Sequence, residues 1–367
     1  IALLSTYFLI KFFKAGKLFY LAIFVALTVI GLYTHFPYIF FAVFQGAYIL
    51  VMIALNFKYR AWIKKFIAAF LLVFLLYLPL LSRLSAQKTG AGALIAKFIG
   101  KPTIISTAKV WSMLNTWIYP SAELRSNIYS LNLLQIGFYD WLLLISALLL
   151  VLLMSAFFAL AVLGHRSKLF EIKHLKRLKN QWILLLVFWF FIPFLLEFLL
   201  SVFHPTATLF GPISYLLFIF PAYIILVSIG ILSLKRKYST IAIILLVLFS
   251  LLPLASYYTN VNKQQWREVA MLMKENLAHG EAILLNSPYM EVAFDYYYGD
   301  YNGLYPVYNA SQAEEASKNR NSLWLILSFD KYFDPQGTIR SYLEKEYKMD
   351  REEDFFDIKV LHYSKKV

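Results

Sequence analysis

The chain has 367 residues, 60% of them hydrophobic and 18% aromatic, with a mean hydropathy of +0.63 and a formal charge of +14. So large an apolar share, gathered in long runs, excludes an ordinary water-soluble domain and describes a polytopic membrane protein. It contains no cysteine, which excludes disulfides, thiol catalysis and cysteine metal sites.

A basic total often accompanies nucleic-acid binding, but here the charge is split. Residues 1–258 hold 22 Lys and Arg against four carboxylates, Glu123, Asp140, Glu171 and Glu197, a balance of +18. Residues 259–367 hold 13 against 17, a balance of −4. The positive charge lies in connections between apolar runs, so topology explains it and no nucleic-acid partner is expected.

In chain order, Ile1–Ile10 reads as the end of a span. Because the first residue is not Met and already stands in an apolar run, we expect a fragment or processed chain whose earlier spans are absent. Further spans are expected at Leu18–Thr34, Tyr38–Asn56, Phe66–Leu81, Phe138–Leu163 and Ser239–Tyr257. Between the last two, Trp182–Ile231 forms an apolar hairpin of two spans around the turn Phe203–Pro212. Each run approaches the roughly 20 apolar residues that cross a bilayer core. The total is about eight spans, the first incomplete.

The loops alternate in charge. Four hold three, four, six and three basic residues, whereas the turns at His35 and His204 hold no Lys or Arg. Basic short loops stay cytoplasmic. That rule places His35, the long segment 82–137, His204 and everything after Tyr258 on the extracytoplasmic side of the plasma (inner) membrane. In the long segment, Ala91–Gly100 and Thr107–Tyr119 are amphipathic. Trp111, Leu114 and Ile118 share a helix face with Trp117 beside them and Lys109 opposite, a pattern that suits an interfacial helix. Such a helix is either a re-entrant or packing element, or a rim over a lipid-fed cavity.

The tail, 259–367, alternates helix and strand patterns. Helices are expected at Trp266–His279, Tyr289–Tyr298, Ala310–Asn319 and Thr338–Tyr347, and strands at Ala282–Asn286, Tyr305–Tyr308, Ser322–Phe329 and Asp357–Tyr363. This describes a small extracytoplasmic α/β domain. No glycine-rich phosphate loop follows any strand, so nucleotide binding has no support.

Few residues carry chemistry. Glu197 is an ionisable group inside a span, which marks either a functional site or a structural hydrogen bond. Asp140 opens a span, where the helix dipole favours an acid. Glu123 stands two residues before Arg125 as a loop pair or a site. His35 and His204 occupy outer turns near Tyr33, Tyr38 and Tyr215. Two histidines and a carboxylate are donors a divalent metal could use, although hydrogen bonding to a phosphate or sugar is the expected work. Arg83, Lys88, Lys97, Lys101, Lys109 and Arg125 are outer cations for a phosphate or for lipid head groups. Asn309-Ala310-Ser311 is a glycosylation sequon.

Three stretches carry a family resemblance. Gly31-Leu32-Tyr33-Thr34-His35-Phe36 ends a span, the hairpin 182–231 has a Trp-rich span, a Pro-bearing turn and a Tyr-Leu run ending in Pro-Ala, and Gln265-Trp266-Arg267-Glu268-Val269-Ala270 opens the tail. Together they resemble the membrane glycosyltransferases of the GT-C fold, glycosyltransferase family 39-type. These are the bacterial relatives of protein O-mannosyltransferase and of the lipid A aminoarabinose transferase.

The resemblance implies transfer of a sugar from a polyprenyl-phosphate carrier to a protein, lipid or glycan acceptor at the outer membrane face. It implies a carboxylate as general base and cations on the leaving phosphate. The family's principal catalytic Asp lies in its first outer loop, upstream of residue 1, so the catalytic residue is not expected in this chain. Where the family often has Arg before the Tyr after the outer turn, this chain has Ser214 before Tyr215. Tyr33, His35, Glu197, His204, Tyr215 and Arg125 are expected around the donor phosphate and sugar, with Glu197 as support and no cofactor certain. The rival functions are a lipid-linked sugar transporter or flippase, and a membrane-anchored binding protein.

Overall fold

A computed structural model describes residues 1–86, 102–116, 136–164, 181–203, 213–259, 263–286, 290–328, 330, 334 and 336–366, with backbone alone at 81–86, 105 and 213. The described residues separate into two compact units, divided between Ser256 and Tyr257. The expected helix 91–100 and residues Trp117, Ile118, Glu123, Arg125, Lys88, Lys97, Lys101 and His204 lie outside the described residues.

The first unit is helical. Its elements are α1 (Ala2–Ala15), α2 (Leu18–Thr34), α3 (Tyr38–Leu55), the single turn α4 (Phe57–Arg60), α5 (Ile63–Ala86), α6 (Ile104–Asn115), α7 (Phe138–Gly164), α8 (Gln181–Phe203), α9 (Phe220–Leu232, after a 3-10 stretch Ile213–Ile219) and α10 (Arg236–Thr259). Six of the described helical stretches are long and apolar enough to cross a membrane, and α2 is a shorter apolar helix of 17 residues. Many large apolar side chains on these helices stay exposed, for example Leu50, Leu71, Leu148 and Leu251. Lipid contact is the environment in which such a surface is stable.

Two of the basic connections meet at one end. Gly16, in the left-handed region at φ 66°, closes α1 and leaves room for the Trp62 ring. Phe12 and Phe13 pack on Trp62, and Phe13 also meets Tyr59. The turn with Lys14 and Lys17 therefore meets the connection that carries Lys58, Arg60, Lys64 and Lys65. The turn His35–Pro37 is at the opposite end of α2 and α3.

α6 departs from the interfacial placement. Val110 and Leu114 are buried, and Trp111 lies edge-on to Phe158, Phe190 and Tyr223. Its indole N–H donates to Ser155 Oγ at 2.8 Å. Ser155, Phe190 and Tyr223 each stand nine residues from the basic end of their helices, or about 13 Å at 1.5 Å per residue. The apolar face that suits a lipid interface is thus filled by protein deep in the bundle, which is the re-entrant or packing arrangement. A Thr103–Ser106 capping box starts the helix.

Two glycines permit close approach. A Cβ on Gly230 of α9 would overlap the backbone carbonyl of Phe157 on α7, with the carbonyl carbon at 2.6 Å. A Cβ on Gly31 would lie 2.6 Å from Cε1 of Tyr38.

The second unit is a sheet between two helix layers. Its strands are β1 (Ala282–Asn286), β2 (Leu304–Val307), β3 (Ser322–Ser328), β4 (Tyr347–Phe355) and β5 (Ile358–Lys365), in the order β2-β1-β3-β5-β4. β1 pairs in parallel with β2 and β3, whereas β5 is antiparallel to β3 and β4. Its helices are α11 (Trp266–Asn276), α12 (Glu291–Tyr298), α13 (Ala310–Ser317) and α14 (Thr338–Glu346). Strand alternation sends Ile283, Leu285 and Ile326 to α11 and α12, and Leu284 and Leu325 to α13 and α14. The β1–β2 and β2–β3 connections run in opposite directions across the sheet, so right-handed crossovers put α12 and α13 on opposite faces.

β4 is absent from the sequence reading. Six of its nine residues are charged, and most of it is exposed. It is an edge strand, where charge discourages pairing with another chain and erases the apolar alternation that reveals inner strands.

Glu281, just before β1, anchors this unit. Its Oε2 accepts from the Ala278 amide and the Trp324 indole, both at 2.9 Å, and its Oε1 lies 3.2 Å from His362 Nε2. Burial pushes its pKa up, but hydrogen bonds from Ser322, Ala278, His362 and Trp324 outweigh that and hold it below the usual carboxylate value. A lowered folded-state pKa stabilises the fold above the unfolded-state value, and that contribution is lost as pH falls through the lowered one.

Two outcomes follow. Gly230→Ala should destabilise the helical unit by about 1–3 kcal/mol or more through overpacking, read as a lower midpoint in detergent thermal unfolding. Glu281→Ala strands the buried Trp324 indole and should destabilise the tail by about 1–3 kcal/mol. In the wild type, acid should unfold the tail along the Glu281 titration, whereas Glu281→Gln should flatten that dependence; Trp324 emission reports both.

Candidate functional site

The α2–α3 turn is built by its own sequence. The His35 amide donates to Gly31 O at 3.0 Å and ends α2, and the Tyr38 amide donates to His35 O at 2.9 Å. Pro37 precedes α3 with φ −62°, already helical. The Tyr38 ring crosses α2 at Gly31, and its hydroxyl shares a hydrogen bond with Ser5 Oγ at 2.9 Å. Gln45 Nε2 donates to the same Ser5 oxygen at 2.8 Å. This buried Ser5–Tyr38–Gln45 group fixes the turn against α1. Gln45, a polar residue inside an apolar run, was the legible signal for it.

From that turn, His35 reaches Tyr215 in the 3-10 stretch, with ring centroids 5.6 Å apart and the planes at 46°. Residues 180 positions apart in sequence thus meet. The stretch itself is held by Trp189 of α8, whose indole donates to Phe218 O at 2.7 Å. Phe41 of α3 packs against both Trp189 and Phe218. Burial lowers the His35 pKa from its ordinary 6.5. At neutral pH its imidazole is uncharged, with one nitrogen donating and the other accepting.

Tyr33 faces elsewhere. Its hydroxyl donates to Leu76 O on α5 at 2.8 Å, and its ring stands edge-on to Tyr77 at 6.4 Å. The structure brings His35 and Tyr215 together but turns Tyr33 toward α5.

Glu197 is wholly buried on α8, and neither carboxylate oxygen has a hydrogen-bond partner among the described residues. It shares the inward face of α8 with Trp189, Phe190, Pro193 and Ser201. Among the described residues no structural hydrogen bond accounts for it. A polar group left unpaired in apolar surroundings costs about 1–3 kcal/mol, and more when charged. Glu197 stands six residues before Phe203, so it lies about 9 Å below that end of α8.

The other candidates have simpler settings. Asp140 falls in the first turn of α7, where the dipole favours it. Arg83 belongs to α5, described by its backbone alone. Asn309 caps α13, its side chain accepting from the Gln312 amide at 3.0 Å, and Ser311 Oγ also bonds to it. Among the described residues, no three His, Asp or Glu side chains group as metal ligands. The Tyr223 hydroxyl donates to Asn115 Oδ1 inside the bundle, a pair that sequence reasoning missed because the two lie 108 residues apart.

No family model, curated protein or solved structure matches this chain.

Removing an unpaired buried acid should not weaken the bundle. Glu197→Leu should leave the detergent unfolding midpoint equal to or above that of the wild type, since exchanging buried charge for packed apolar volume is often neutral or stabilising. A drop of the size that follows loss of a structural partner would show that Glu197 is bonded in the folded protein.

Proposed function

We propose that this chain forms the membrane part and tail of a glycosyltransferase that moves a sugar from a polyprenyl-phosphate carrier to a protein, lipid or glycan acceptor. One observation carries this reading: a fully buried carboxyl, Glu197, has no hydrogen-bond partner among the described residues and lies in the helix that positions the His35–Tyr215 pair. Functional sites are where such uncompensated groups persist.

In this reading the ligand supplies what the fold withholds. Sugar hydroxyls donate to the Glu197 oxygens. The neutral His35 imidazole donates to a phosphate oxygen, and the Tyr215 ring offers a face for the sugar or an isoprene unit. Tyr33 supports the turn through α5; the sequence adds His204 and Arg125, outside the described residues, as candidate phosphate contacts. Membrane lipid surrounds the carrier tail. The same motifs at 31–36, 182–231 and 265–270 support the reading. The reaction side is the extracytoplasmic one that the basic loops assign.

The transporter reading needs a path through the bundle. The packed aromatic group around Trp111, deep in the helical unit, favours a site open at one end.

The test is sugar transfer from a polyprenyl-phosphate carrier by the full-length protein in proteoliposomes. Glu197→Gln and His35→Ala should each reduce turnover by about tenfold or more, the scale of one lost polar contact. Between pH 7 and 8 the His35 contribution should be flat, because its lowered pKa leaves the imidazole neutral throughout that window. Full activity in both variants would remove these residues from the site.

A further inference from the structure

The helix α12 is apolar on both sides. Phe294 is fully buried against the sheet, with Tyr298 stacked on it at 5.0 Å. On the opposite side Val292 and Tyr296, four residues apart and so on one face, are 78% and 81% exposed. Tyr297 stands edge-on to Tyr296 at 4.9 Å, and exposed Met271 lies on the neighbouring α11. Lys274 of α11 ties the two helices together by donating to Tyr297 O at 2.8 Å. A surface helix of a water-soluble domain carries polar residues on its outer side; this one carries valine and tyrosine.

The chain itself names what is near. α10 ends at Thr259 and α11 begins at Trp266. Seven residue steps span about 25 Å at full stretch, so the tail cannot leave the neighbourhood of the membrane surface. Tyrosine is suited to that layer, with its ring among the acyl chains and its hydroxyl among head groups. The nearby charges are mixed: Glu291, Asp295 and Asp300 against Arg267 and Lys274. Such a patch gains little from an anionic surface.

We propose that Val292, Tyr296 and Tyr297 seat the tail in the head-group layer of the bilayer that holds α10, by apolar and ring contact rather than by charge. The seating does not depend on which reaction the protein performs. It fixes the height and tilt of the tail relative to the lipid surface.

The absence of cysteine makes the test direct. Val292→Cys, Tyr296→Cys and, as a reference on an exposed polar position, Lys318→Cys are spin-labelled singly in the full chain. The proteins are reconstituted in phosphatidylcholine vesicles, and collision with oxygen is compared with collision with a water-soluble nickel chelate. Each variant leaves at least two of the three proposed anchors in place. At 292 and 296 oxygen should dominate; at 318 the nickel chelate should dominate, inverting the ratio. Nickel access at 292 and 296 equal to that at 318 would overturn the proposal by placing the face in water. Exclusion of both reagents would overturn it too, since protein would then cover the face. A need for anionic lipid to invert the ratio would overturn the claim that charge is not the attraction.

Discussion

Inside an apolar bundle, each polar group must find its partner within the protein, because lipid offers none. Much of the helical unit obeys this. Trp111 donates to Ser155, Trp189 to Phe218 O, Tyr33 to Leu76 O, and Tyr223 to Asn115. Ser5 collects both Tyr38 and Gln45. Several neutral oxygens stay unpaired, among them the hydroxyls of Thr6, Tyr59 and Tyr77. A carboxyl is a different matter, since it is either an exposed charge or an acid that still wants a donor and an acceptor. Glu197 is the one carboxyl among the described buried groups with neither oxygen bonded. The same rule that explains the other contacts therefore singles it out.

Close approach is the second device, and it serves the first. Gly31 lets the Tyr38 ring lie across α2, which brings the Tyr38 hydroxyl to Ser5 and sets the direction of the turn at His35. Gly230 lets α9 press on α7 at Phe157, and Tyr223, two turns earlier on α9, then meets Phe158 and Trp111. Backbone contact at one level thus decides which side chains can pair at another. Neither glycine is in a turn or at positive φ, so sequence alone offers no reason for either beyond its small size.

Most elements were legible because the signals were strong and local. The limits of α2 and α3 follow from a run of apolar residues broken by His35-Phe36-Pro37 and Asn56, and the tail's inner strands follow from the short, leucine-rich apolar runs at 282–286 and 322–328. Long-range pairing was not legible. Tyr33 and His35 are two residues apart in sequence yet face α5 and the 3-10 stretch, a divergence set by where α2 ends. α6 has the face of an interfacial helix, because an apolar stripe meets lipid or protein with the same composition; only Ser155 and Asn115 in the third dimension tell the two apart. β4 escaped notice because edge strands are protected by the very charges that hide them.

The depth of α6 bears on what kind of site the bundle can hold. α5 begins and α7 ends at the basic side, so the segment between them starts and finishes at the end that carries His35. Within it, α6 places Trp111 about 13 Å from the basic side, using the nine-residue spacing of its partners. There the rings of Trp111, Phe158, Phe190 and Tyr223 pack together, closed by the Ser155 and Asn115 bonds. Protein interiors packed in this way leave few voids larger than water. Glu197 lies on the other side of this layer along α8, seven residues beyond Phe190 toward the His35 end. A ligand reaching Glu197 from that end would meet a closed floor, and one entering from the basic side would have to break two hydrogen bonds and an aromatic cluster. Chemistry at one surface needs no path through this layer; carriage across the membrane needs the layer to give way.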